Sequence, residues 1–298
     1  MKIEIIEVGP RDGLQNENQI LSHTKRSQLV KKLAETGLKR IEVGAFVSPM
    51  WVPQMEDSIK VAKSIKNMAT KDKSLKFAAL VPNERGMMDF LRTPLKEASI
   101  FTSCTESFSQ KNINCSIDES FKRFKPVIEM AKKNKVKVRG YLSTVFGCPF
   151  EGKVSPKKVV KIVHRLFDSG VYEVSLGDTI GVATPKQIKT VIKALVDSGI
   201  NPSKLAGHYH DTRGTALSNV IASVDHGVKK FDSCVGGLGG CPYAPGAAGN
   251  LATEDLIYAM ENMGLKTGVD LNKMIQVARW LQNQVGHPIT SHLSMSGS

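Results

Sequence analysis

Short apolar runs alternate with longer stretches whose apolar positions recur at helical spacing, from the first residues almost to the last. The runs predict strands at roughly 3–8, 39–45, 75–81, 97–102, 136–143, 172–177, 204–210 and 230–235. The periodic stretches predict helices at roughly 24–36, 55–66, 84–92, 117–134, 155–168, 184–197, 214–226 and 252–263. Alternation of this kind implies a parallel sheet with helical crossovers, and eight such units imply closure into a (β/α)8 TIM barrel. A doubly wound sheet is the alternative, but no GxGxxG follows the first strand. The reading is one catalytic domain over 1–298, with the barrel at about 3–265 and a helical extension at about 266–298. In that extension LNKMIQVARWLQNQV predicts an added helix, packed across the barrel or between subunits. The closing SHLSMSGS, small and polar, is expected to fray.

In such barrels the chemistry lies at the C-terminal strand ends and the loops after them, so polar residues there carry the search. The first strand runs into Val8-Gly-Pro-Arg11-Asp12-Gly. The adjacent Arg11 and Asp12 are either a local ion pair or a fixed cation beside a metal-binding carboxylate. Glu42 interrupts the second apolar run and needs a buried partner, for which Arg11 is the candidate. After the fourth strand, Thr102–Asn114 reads as a long polar loop carrying Lys111 and Asn112. Asp178 ends the sixth strand, as a turn cap or as a site acid.

The seventh strand ends Gly207-His208-Tyr209-His210. Residues two apart on a strand share a face, so both imidazoles point into the barrel mouth. The eighth strand leads into Gly236–Asn250, GGLGGCPYAPGAAGN, with six glycines in fifteen residues and Cys241 in the middle. That many glycines exclude a helix or strand interior and imply a loop closing over a ligand.

Asp12, His208, His210 and Asn250 form a nitrogen/oxygen set without thiolate, suited to Mg²⁺ or Mn²⁺. A substrate hydroxyl and a neighbouring oxygen would fill the two remaining positions, and coordination would lower the hydroxyl pKa. An alkoxide β to a carbonyl collapses with carbon–carbon cleavage. Arg11 would stabilise the resulting enolate, and Cys241 would protonate it. The residues thus point to metal-assisted retro-aldol or retro-Claisen cleavage.

Composition narrows the rivals. Net charge is +13, from 41 basic and 28 acidic residues. The Lys and Arg are spread over helical segments without interleaved aromatics, so a solvated surface with an anionic ligand fits better than nucleic acid. No apolar run approaches the roughly 20 residues of a membrane span. The N-terminus starts directly as a strand without a targeting segment, which sets the expectation of a cytoplasmic, bacterial protein. Five cysteines without CxxC spacing are expected to be free thiols.

The motifs VGPRDGLQNE, FVSPMWVPQM, NINCS, SLGDTIGV, GHYHDT and GGLGGCPYAPGAAGNLATED resemble 3-hydroxy-3-methylglutaryl-CoA (HMG-CoA) lyases over about residues 3–285. The resemblance implies a metal-dependent TIM barrel cleaving HMG-CoA to acetyl-CoA and acetoacetate, usually in leucine breakdown and ketone-body formation. It places Asp12, His208, His210 and Asn250 at the metal, Arg11 at the enolate and Cys241 as the catalytic cysteine. Glu42 and Asp178 match acids the family needs, and Asp12 and His208 are both candidates for the general base. Lys111 and Asn112 are the candidate contacts to the acyl-CoA substrate, and a homodimer is the family expectation. Animal members carry a presequence and a C-terminal cysteine forming an intersubunit disulfide. Here the last cysteine is Cys241, so that thiol regulation is not expected, and Arg213 in HDTRG carries no assigned role. A lyase for a related 3-hydroxyacyl-CoA stays open. A Claisen-type synthase shares the RDG and HxH elements but not the cysteine loop.

Overall fold

The computed structural model describes residues 1–240 and 249–295. Eight parallel strands close into a barrel in sequence order among these residues. They are β1 (Glu4–Glu7), β2 (Arg40–Ala45), β3 (Lys76–Leu80), β4 (Glu97–Ser103), β5 (Lys137–Ser143), β6 (Glu173–Asp178), β7 (Leu205–Tyr209) and β8 (Lys230–Ser233). β8 pairs with β1 from Glu4↔Lys230 to Glu7↔Ser233, which completes the ring. All eight expected strands are present, with ends shifted by a residue or two.

The helices between strands follow the apolar periodicity. They are α1 (His23–Glu35), α4 (Glu84–Leu91), α6 (Ile117–Lys133), α7 (Pro156–Asp168), α8 (Pro185–Asp197), α9 (Ala216–Val224) and α10 (Thr253–Asn262). Their starts are set by side-chain caps: Ser22, Asn83 and Ser155 each accept a main-chain N–H from the first turn, and Ser116 with Glu119 forms a capping box. The helix expected at about 55–66 is instead broken at Ile65 into α2 (Ser58–Ser64) and α3 (Lys66–Lys71).

Two expectations are corrected. The polar stretch Thr102–Asn114 is not a long loop: β4 runs to Ser103, and Glu106–Ile113 is a helix, α5. Its sequence has little apolar periodicity, because only Phe108 and Ser109 turn inward. Asn114, at φ +48°, ends it in the left-handed conformation that Asn tolerates. The stretch expected to fray from Ser291 is ordered through its described part, and residues 296–298 lie outside the described residues. His292–Met295 forms a short helix, α12, and Asp255 accepts the main-chain N–H of His292 and Leu293. The added helix α11 (Leu271–Val285) packs between α1 and α10, the first and last helices of the ring.

The barrel interior differs from the layers of branched apolar side chains usual in this fold. Arg139 of β5 reaches Glu173 of β6 (2.7 Å) and Asp232 of β8 (2.7 Å) across the lumen. Arg40 of β2 pairs with Glu97 of β4 and with Glu173 at 2.8 Å. All five side chains are buried. Charges at this depth are tolerated because each is paired and hydrogen-bonded. The branched apolar residues face outward to the helices in one continuous core.

Candidate active site

Arg11 and Asp12 sit on a tight π-helical turn, Gly9–Gly13, directly after β1. The N–H groups of Arg11, Asp12 and Gly13 all converge on the Val8 carbonyl. Gly13 is required there: a Cβ would lie 2.5 Å from Cys234 Sγ. The turn aims both side chains over the C-terminal mouth. Arg11 Nε donates to Glu42 Oε2 at 2.5 Å, and Arg11 Nη1 pairs with Asp12 Oδ1. The partner expected for Glu42 is therefore Arg11. The pairing of β2 with β3 shifts register between Glu42 and Ala45, next to this contact. Tyr141 Oη donates to the same Glu42 oxygen at 3.1 Å, and its ring lies 5.1 Å from the Arg11 guanidinium carbon. Burial opposes the charge on Arg11, but Asp12 and Glu42 outweigh it and push its pKa upward.

His208 and His210, at the end of β7, are buried with their Nε2 atoms 3.4 Å apart. Asp12 Oδ2 lies 3.8 Å from His208 Nε2. One donor atom from each of Asp12, His208 and His210 falls within 4.8 Å of the others. Burial would raise the Asp12 carboxyl, yet Arg11 and the two imidazoles bring it down to about 2. Burial, reinforced by His208, lowers His210 to about 4. At neutral pH the set is a carboxylate and an uncharged His210 beside His208. Two ring nitrogens and a carboxylate oxygen converging around one point fit a divalent cation. Among the described residues, His210 Nδ1 is buried without a hydrogen-bond partner.

Asn250 is brought to the same place by a bridge between His210 and Asn250, but its amide nitrogen faces the cluster. Asn250 Nδ2 donates to Asp12 Oδ2 at 2.8 Å and to the Leu238 carbonyl at 3.1 Å. In this arrangement Asn250 supports the Asp12 carboxylate rather than offering its oxygen.

Asp178 faces its own loop. Its two oxygens accept the main-chain N–H groups of Val182 and Ala183, both at 2.9 Å, as in the turn-cap reading. Burial raises it to about 6 despite those bonds. Arg213 donates to the Ile180 and Gly181 carbonyls of the same loop, a structural task the sequence did not reveal.

A cavity of about 270 Å³ opens above these residues. Arg11, Asp12, His208 and His210 form its polar floor, and Leu80, Phe101 and Phe108 are among its apolar walls. Asn112 of α5 lines it, and both Asn112 and its neighbour Lys111 are exposed on the helix. Cys241, the candidate acid, lies outside the described residues. The flanking Gly240 lines the cavity, and its carbonyl accepts from Asn16 Nδ2 at 2.7 Å.

Several contributors escaped the sequence reading. Gln15 Nε2 donates to Asp12 Oδ1 at 3.0 Å. Asp232 accepts from Ser175 Oγ at 2.6 Å and faces His208 Nδ1 at 3.2 Å. The available signal was the one that singled out Glu42, an acid inside an apolar strand run, here Phe231-Asp232-Ser233.

A family model described as HMGL-like matches residues 2–281. The chain belongs to the HMG-CoA lyase family. It is 48% identical over 295 residues to the hydroxymethylglutaryl-CoA lyase of Pseudomonas mevalonii, covering 99% of this chain and 95% of that protein. It is 47% identical over 278 residues to a 3-hydroxy-3-isohexenylglutaryl-CoA/hydroxy-methylglutaryl-CoA lyase of Pseudomonas aeruginosa, covering 93% and 91%. The HMG-CoA lyase of Acinetobacter baumannii, solved in complex with coenzyme A and 3-methylmalate, superposes with a TM-score of 0.93. That match has 37% identity and covers 99% of this chain and 95% of the other.

Proposed function

We propose that this chain cleaves HMG-CoA to acetyl-CoA and acetoacetate. The observation that carries the reading is the convergence of Asp12, His208 and His210 beside the Arg11 guanidinium at the cavity floor. A divalent cation held by these three residues, Mg²⁺ or Mn²⁺ in this reading, supplies the Lewis acidity that makes a substrate hydroxyl acidic near neutral pH. Asn250 would join them as a fourth ligand once its amide oxygen, rather than the nitrogen that donates to Asp12, were presented to the ion.

The chain's own groups then do the following. The hydroxyl proton leaves to a base at the cavity floor, where Asp12 and His208 both lie. The bond between the hydroxyl-bearing carbon and the thioester-side CH₂ breaks. Its electron pair moves onto the thioester carbonyl oxygen as an enolate, and the hydroxyl carbon becomes the ketone of acetoacetate. Arg11, fixed by Glu42 and Asp12, aims N–H groups at the enolate oxygen without having to reorganise. Cys241 delivers the proton that converts the enolate to acetyl-CoA. Asp178 holds the loop after β6, and Asn112 and Lys111 contact the acyl-CoA. The family resemblance also supports a cytoplasmic homodimer as the working form.

The apolar walls favour a second, compatible reading. Leu80, Phe101 and Phe108 suit an alkyl group larger than methyl on the hydroxyl carbon, as the name of the Pseudomonas aeruginosa relative indicates for that protein. Acetoacetate release from HMG-CoA with Mg²⁺, and its loss with EDTA, tests the main reading. Cys241→Ser is expected to abolish most of that release while leaving Mn²⁺ binding intact. A protein that binds metal but releases no acetoacetate would overturn the substrate and move the assignment to longer-chain 3-hydroxyacyl-CoA compounds.

A further inference from the structure

The two histidines of the cluster are held differently. His210 Nδ1 is buried and has no hydrogen-bond partner among the described residues. His208 Nδ1 faces Asp232 Oδ2 at 3.2 Å, and the His208 ring stands edge-on to Tyr141, with centroids 5.9 Å apart and planes at 82°. Asp232 is in turn fixed from the far side of the barrel. Arg139 Nη2 donates to Oδ1 at 2.7 Å, Arg139 Nη1 reaches Oδ2 at 3.3 Å, and Ser175 Oγ donates to Oδ2 at 2.6 Å. All of these groups are buried.

We propose that Asp232 is a positioning residue that sets the tautomer of His208. An ionised carboxylate only accepts hydrogen bonds, so the ring nitrogen facing it must carry the hydrogen. When His208 is neutral its lone pair is then on Nε2, the atom that faces His210 Nε2 and Asp12 Oδ2. The Arg139–Asp232–His208 line thus prepares one cation ligand before any cation arrives, whereas His210 depends on what binds beside it. Carboxylates behind metal-binding histidines have this role generally, and their loss weakens metal affinity by about 10–100-fold. This inference rests on the metal-site reading above.

Asp232→Asn keeps the volume but reverses the polarity toward His208. Arg139 retains the amide oxygen, so the amide NH₂ turns to His208 Nδ1, which must then accept. The hydrogen moves to Nε2, where it blocks coordination. In ¹⁵N NMR of metal-free protein at a pH where His208 is neutral, the wild type is expected to carry its hydrogen on Nδ1 and Asp232→Asn on Nε2. Mn²⁺ titration is expected to show affinity about 10–100-fold weaker in the variant. A folded variant with the wild-type tautomer and unchanged Mn²⁺ affinity would overturn the proposal, since a merely charge-neutralising Asp232 would give that result. Should the variant not fold, the wild-type spectrum decides alone: neutral His208 protonated on Nε2 sinks the idea. Failure of the metal reading is a separate result, namely wild-type protein that binds no Mn²⁺, and the metal-free tautomer does not depend on it.

Discussion

Arg11 and Glu42 are joined by a buried 2.5 Å contact between Nε and Oε2, which ties the turn after β1 to strand β2. The same guanidinium pairs with Asp12, so the cation at the cavity floor is held from two sides. Glu42→Ala removes one of them and lets Arg11 collapse onto Asp12. The expected result is a kcat lower by roughly 10²–10³, the scale for losing one aligned donor to a developing oxyanion. KM should change much less. Stability should fall by about 3–5 kcal/mol, because a buried ion pair is broken from one side. Steady-state kinetics with denaturant unfolding checks both, and unchanged kcat would remove Glu42 from the positioning of Arg11.

His210→Ala removes one of three converging donor atoms while Asp12 and His208 stay in place. Mn²⁺ affinity should drop, and raising the Mn²⁺ concentration should restore part of the acetoacetate release. Calorimetric titration measures the first and a metal-dependence curve the second. An unchanged titration would mean that the ion sits elsewhere.

Gly249 lies where the two ends of the glycine-rich loop meet. A Cβ there would stand 1.9 Å from the Gly239 carbonyl oxygen and 2.3 Å from that of Gly237. Gly249→Ala must push these segments apart, and with them Asn250, whose amide holds Asp12. Turnover is expected to fall sharply with the barrel still folded. Normal turnover together with an unchanged circular dichroism spectrum would show that the loop ends do not govern the site.

Glu7 is fully buried at the end of β1, and burial raises its pKa from 4.5 to about 7. The folded state therefore binds this proton more tightly than the unfolded chain. The resulting stability is complete below pH 4.5 and is lost as pH rises to about 7. His210, lowered to about 4, acts in the opposite sense over part of that window. Comparison with Glu7→Gln isolates the acid, since the amide can still accept from Gly9 and Val235 and donate to Thr253. The stability of wild type relative to Glu7→Gln should decline between pH 4.5 and 7, by about 3 kcal/mol, and then level off. A pH-independent difference in urea midpoints would contradict the raised pKa.

What the sequence determined by itself is the frame and the nearest chemistry. Strand and helix periods are local properties, so the eight βα units were legible from apolar spacing. Arg11, Asp12, Glu42, His208 and His210 were legible because polar residues at strand ends, or inside apolar runs, carry a cost that calls for a reason. The helix Glu106–Ile113 was not, since its few buried side chains leave no periodic trace. Only the tertiary structure decided which atom of each residue faces the site. Asn250 turns its nitrogen rather than its oxygen to Asp12, and Asp178 spends both oxygens on its own loop. The line from Arg139 through Asp232 to His208 joins three strands that are separated in sequence by 93 and 24 residues at its two contacts. No local pattern encodes such a line. It exists because closing the barrel forces buried charges to find partners across the lumen.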